Sequence, residues 1–126
     1  MTQLLLVGIG GFVGSVLRYG IGTLMLRIFP SAFPTGTMVV NVVGCFIIGA
    51  LGATVDVRPS FNENLRLFLL VGTLGGFTTF SAFGAETLWL AREGHMLRAI
   101  LNVSIQVGAG LVAVAIGYSL LRNYLS

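Results

Sequence analysis

Gly72-Thr73-Leu74-Gly75-Gly76-Phe77-Thr78-Thr79-Phe80-Ser81-Ala82-Phe83 occupies the centre of an apolar run, Leu65–Leu90, that is long enough to cross a bilayer. A hydrocarbon core of ~30 Å takes about 20 helical residues, and the stretch falls at the midpoint of such a helix. Each of two adjacent glycines weakens a helix by roughly 1 kcal/mol relative to alanine. The threonines that follow are residues that cap a restarted helix. The stretch therefore predicts a span broken near the bilayer midplane, with Thr78 or Thr79 opening its second half. Such a break frees carbonyls that bind a cation and leaves a positive half-helix N-terminus that favours an anion. Irregular backbone survives at that depth only when it is buried in protein or lines water. The competing reading is a plain glycine kink at a helix crossing.

Three further apolar runs flank this one: Leu4–Leu26, Thr37–Val55 and Ala99–Leu121. The segment from Pro30 to Pro34 closes the first, because proline stops a helix. The polar stretches 56–64 and 91–95 close the second and third. The runs lack period-two alternation, and 18 glycines argue further against strands. Of 126 residues, 56% are hydrophobic and 9% charged, against about 25% charged in a soluble domain. The mean hydropathy is +0.97. These features predict an all-α integral membrane protein, one domain over residues 1–126 with four transmembrane helices. The net charge of +3 comes from arginines scattered singly, with no run to track a phosphate backbone, so nucleic acid is excluded as a partner. The single cysteine, Cys45, rules out an internal disulfide or a paired-cysteine metal site and reads as a small buried packing residue. Met1-Thr2-Gln3 lacks a basic leader, so the first run is expected to stay in the mature protein.

Leaving aside Arg18 inside the first span, the arginines divide evenly between the two faces of such a bundle. Arg58, Arg66 and Arg122 fall on one side; Arg27, Arg92 and Arg98 fall on the other. Orientation follows the arginine and lysine bias of the loops, so this chain is expected to insert both ways up and to pair as an antiparallel, dual-topology homodimer. Gly10xxxGly14, Gly11xxxSer15, Gly72xxxGly76 and Ala113xxxGly117 are spacings that let helix backbones approach.

Polar residues at depth are the functional candidates, because they are costly in lipid without partners. Phe80 and Phe83 share a helix face beside Thr78, Thr79 and Ser81. An aromatic ring has a positive edge, so paired ring edges contact a small anion without trapping it, as conduction requires. Packing is the ordinary alternative for both rings. Asn41 reads equally as interhelical glue or as a pore-facing donor. Asn102 and Gln106, one helical turn apart, carry the same two readings. Arg18 either snorkels or stands at a vestibule. Glu86 calls for an arginine or water. Trp89, Tyr118 and Tyr124 fall where interface anchors belong, and His95 lies in a loop with no evident task.

Three motifs in order resemble those of the small bacterial fluoride channels, the Fluc or CrcB family. They are Gly10-Gly11-Phe12-Val13-Gly14-Ser15-Val16-Leu17-Arg18-Tyr19, then Gly36-Thr37-Met38-Val39-Val40-Asn41-Val42-Val43-Gly44, then Gly75 through Phe83. Length and span count agree over nearly the whole chain. The resemblance implies an antiparallel homodimer with two pores in the bacterial inner (plasma) membrane, passively exporting fluoride and rejecting chloride. It implies that Phe80 and Phe83 contact fluoride and that Asn41, Thr79, Ser81, Asn102, Gln106 and Arg18 belong to the pathway. It also implies a structural Na+ at the dimer interface, held by the carbonyls of Gly75 and Thr78. The sequence departs from the family pattern at Ala82, where a hydroxyl residue is common. It departs again at Gln106 and Gly110, where small hydroxyl residues are frequent, and at Asn102, where an aromatic is. The rival is a small multidrug-resistance-type exporter exchanging protons for organic cations. That mechanism wants an acid in the first span, which holds Arg18 and no carboxylate. Nothing in the chain suggests an enzyme.

Overall fold

The structure, a computed structural model, describes residues 1–126. Four helical segments are long and apolar enough to cross a membrane: Thr2–Ile28, Thr35–Val57, Glu63–Arg92 and Met96–Leu125. Each extends a few residues beyond the apolar run that announced it. Pro34 stands at the N-cap of the second helix, where its missing N–H costs nothing. Asn62 caps the third span, its side chain accepting from the backbone of Asn64 at 2.9 Å and Leu65 at 3.2 Å. The third span ends in a turn around Gly94, whose φ of +83° is the only positive value in the chain. The His95 N–H reaches the Leu90 carbonyl at 2.8 Å and the Gly94 N–H reaches Ala91 at 3.2 Å. That pair of bonds is the Schellman closure of a helix.

The third span has two halves. The leading half begins as Glu63–Arg66, continues as π-helix over Leu67–Leu74 and closes with the turn Gly75–Phe77. Thr73 belongs to the wider winding: its hydroxyl donates to the Phe68 carbonyl, five residues back, at 2.9 Å. The trailing half is Phe80–Arg92. Between them Thr78 (φ −82°, ψ 158°) and Thr79 (φ −150°, ψ 120°) are extended. The expected break is present, beginning two residues past the glycine pair. Gly75 and Gly76 themselves stay helical, and a Cβ at Gly76 would lie 2.5 Å from the Gly11 carbonyl oxygen. Gly76 therefore permits a close approach and does not itself interrupt the helix.

Two glycine seams hold the bundle. The first helix packs on the leading half, where a Cβ at Gly10 would meet Phe68 O at 2.5 Å and one at Gly72 would meet Val7 O at 2.9 Å. Gly14 abuts the backbone of Thr73 and Phe77 on the same seam. The second helix packs on the fourth, with Gly49 against the Val114 backbone and Gly117 against Phe46. All four of the expected small-residue spacings thus put a glycine on a seam; Gly49xxxAla53, not singled out above, does the same. Only 15 of 126 residues are buried, Val40, Leu74 and Phe77 forming the one compact apolar cluster. So much apolar surface on the outside of a bundle fits a chain whose solvent is lipid.

Candidate functional site: the broken third span

A helix that stops inside a bundle leaves peptide groups needing new partners. The Thr79 N–H, which would have bonded Gly75, donates to Asn41 Oδ1 at 2.9 Å. The Thr79 carbonyl accepts from Asn41 Nδ2 at 3.0 Å. One amide from the second helix thus grips both polar groups of the extended residue. The Gly76 carbonyl accepts from Arg18 Nε at 3.0 Å. Arg18 therefore turns inward, and the snorkelling reading does not describe it. Thr79 caps the trailing half, Oγ1 accepting from the Ala82 N–H at 3.2 Å and lying 3.4 Å from Ser81 Oγ. Thr78 Oγ1 donates back to Leu74 O at 3.0 Å. The carbonyl of Thr78 receives no hydrogen bond, and that of Gly75 has lost its helical donor to Asn41.

A cavity of about 380 Å³ opens beside the break. Its lining includes Asn41, Cys45, Thr78, Thr79, Phe80, Phe83 and Gln106. A smaller one of about 80 Å³ lies among Arg18, Thr37, Val40, Thr79 and Ala82. Thr79 lines both, so the extended residue stands between two chambers. The Phe80 and Phe83 rings are tilted at 49° with centroids 5.4 Å apart, and Phe80 is 83% exposed. Cys45 is half-buried on the cavity wall, not packed away as expected, with the open face of Gly110 beside its sulfur. Ala82 puts a methyl group, with no hydroxyl, into the smaller chamber.

The two amides of the fourth helix separate. Gln106 lines the large cavity, whereas Asn102 is completely buried and lines neither chamber. Asn102 is thus not a wall of either cavity, because the fourth helix turns it toward the trailing half. Gln106 Oε1 accepts from Asn41 Nδ2 at 2.8 Å, and Gln106 Nε2 donates to Asn102 Oδ1 at 2.9 Å. Asn102 Nδ2 donates to Thr87 Oγ1 at 3.0 Å, and Thr87 donates to the Phe83 carbonyl at 2.7 Å. Thr87 was not among the residues the sequence singled out, although it continues the face carrying Thr79 and Phe83 at four-residue steps. Thr37 is a second addition: its hydroxyl donates to Glu86 Oε1 at 2.7 Å, while Glu86 Oε2 is buried without a partner. No arginine pairs with Glu86. Tyr118 donates to Asp56 at 2.9 Å, Trp89 and Tyr124 are exposed near span ends, and His95 is exposed in its turn.

The family model described as "CrcB-like protein, Camphor Resistance (CrcB)" matches residues 5–118. A Rhizobium etli protein named fluoride-specific ion channel FluC is 44% identical over 122 residues, covering 97% of this chain and 98% of its own. A Shewanella pealeana protein of the same name is 44% identical over 123 residues, covering 95% and 96%. A third so named, from Shewanella piezotolerans, is 45% identical over 123 residues.

Proposed function

The chain belongs to the CrcB family, and from that premise we propose that it is a fluoride-selective channel. It lets fluoride leave the cytoplasm passively, across the inner membrane through which its helices pass. Hydrogen fluoride enters a cell as a neutral molecule and dissociates, so the anion accumulates inside. A negative-inside potential drives it out with ~2.3 kcal/mol per 100 mV, and no pump or chemical step is needed. The observation that carries the reading is the extended Thr79, held between two chambers where helix would otherwise seal the path.

Fluoride is small and strongly hydrated, so its water must be replaced by fixed hydrogen donors of moderate strength. Gln106 stands on the wall of the large chamber, and the edges of Phe80 and Phe83 provide positive rims without a trapping charge. Thr79 and Ser81 add hydroxyls at the positive end of the trailing half-helix. Arg18 biases the smaller chamber toward anions. Asn41 has both amide hydrogens committed, one to Thr79 and one to Gln106, so its part is to hold the path open.

The working unit is an antiparallel homodimer in the lipid bilayer. The even arginine split, the largely unburied apolar surface and the outward Phe80 support it. The carbonyls of Gly75 and Thr78, oxygen donors freed by the break, suit a hard monovalent cation. A structural Na+ held there by both subunits would offset the cost of an anion in low dielectric.

Passive efflux tests this reading. Liposomes carrying the purified protein, with a potassium gradient and valinomycin, are read by fluoride and chloride electrodes. Rapid fluoride release without chloride release is expected. No fluoride release from folded protein would overturn the reading and point to proton-coupled cation exchange.

A further inference from the structure

Between the second helix, the fourth helix and the trailing half runs a chain of hydrogen bonds with a single possible direction. It starts at the Thr79 N–H, which can only donate, so the atom of Asn41 facing it is an oxygen. The Asn41 nitrogen is thereby turned to Gln106, whose facing atom must be its oxygen. The Gln106 nitrogen then meets Asn102 Oδ1, and the Asn102 nitrogen meets the Thr87 hydroxyl. Thr87 passes its own proton to the Phe83 carbonyl, which can only accept. Donor-only and acceptor-only backbone groups at the two ends leave the side chains no reversed arrangement. Of the two Gln106 amide hydrogens, one goes to Asn102 and the other stays undonated on a residue that lines the large chamber.

We propose that Thr87 and Asn102 are positioning residues: they anchor the far end of this relay, and through it tighten the grip of Asn41 on Thr79 and hold in place the hydrogen that Gln106 offers to the chamber. Neither touches the chamber; Asn102 is fully buried and its oxygen is consumed by Gln106. An anion path needs hydrogens, not carbonyl oxygens, on its wall. Without Thr87 the Asn102 nitrogen loses its acceptor, and the amides of Asn102 and Gln106 are then held from the Asn41 end alone. This assignment of roles in transport rests on the conduction reading above, whereas the grip on Thr79 does not.

The test therefore has two readouts on the assembled protein. Thr87→Val keeps the shape and removes the hydroxyl; Thr87→Ser keeps the hydroxyl. Amide hydrogen exchange at Thr79, followed by NMR, is expected to quicken about tenfold in Thr87→Val and to stay near the parent rate in Thr87→Ser. Fluoride efflux is expected to fall about tenfold in Thr87→Val and to be retained in Thr87→Ser. Asn102→Leu combined with Thr87→Val should slow efflux no further than the worse single change, because both act through one relay. Should Thr87→Val fail to assemble, Thr87→Cys, a similar volume with weak bonding, takes its place under the same criteria. Unchanged Thr79 exchange in the hydroxyl-free variant, or additive losses in the double variant, overturns the relay. Parent vesicles that pass no fluoride overturn the conduction reading instead, and the exchange readout still decides the relay.

Discussion

The third span and the fourth helix carry similar warnings in their sequences and answer them differently. The fourth helix holds Asn102, Gln106, Gly108, Gly110 and Gly117, yet runs unbroken from Met96 to Leu125. The third span breaks at Thr78–Thr79 while its own glycine pair stays helical. Local propensity does not separate them. What separates them is supply: the peptide groups freed at Thr79 and Gly76 find donors and an acceptor in Asn41 and Arg18, side chains of other helices. The amides of the fourth helix bond each other and side chains of neighbouring helices, and leave its ladder intact. A helix in lipid opens where neighbours can satisfy what opening exposes.

If that contrast is right, removing the supplier should cost most. Asn41→Leu orphans both polar groups of Thr79, a penalty of about 1–3 kcal/mol for each. Fluoride efflux should fall by roughly a hundredfold or more and the melting temperature should drop. Unimpaired efflux would mean the break holds itself. Next come the seams that press the helices together. Gly14→Val forces a side chain into the Thr73 backbone and should cost about 3 kcal/mol and the assembled species on gel filtration. Gly108→Ala faces open space and should leave assembly unchanged, so equal effects of the two would dissolve the seam.

Phe80→Ile and Phe83→Ile sharpen the contrast at the chamber, since they leave every bond of the break intact. Each should slow fluoride efflux about tenfold with the dimer still assembled. Undiminished flux in both would reduce the rings to packing. Smallest is Arg18→Gln, which loses the guanidinium bond to Gly76 but keeps an amide donor. Stability should fall by about 1 kcal/mol, with a modest slowing of fluoride entry that vanishes at high salt.

The four spans were legible because each is a long apolar run bounded by proline or charge, and the break because threonines follow glycines at mid-span. The restart was legible as well, since Thr78 or Thr79 was expected to open the second half and Thr79 caps it; the glycine pair was not, because Gly76 stays helical and is there for Gly11 to approach. The candidate residues were found by their polarity at depth. Their division of labour was not, since whether an amide faces a cavity or another amide depends on helix rotation, which spacing alone does not fix. Hence Asn102 and Gln106 looked equivalent and are not, and Thr87, an ordinary helical threonine in sequence, stands out only because Asn102 of the fourth helix bonds it.

The measurement that tests the central claim most directly is the zero-current voltage of a planar bilayer carrying the protein, with fluoride unequal across it and chloride and pH equal. The account predicts a voltage at the fluoride equilibrium potential, unmoved when a chloride or proton gradient is then imposed. A voltage that stays at zero under the fluoride gradient, or that follows the proton gradient, would contradict it.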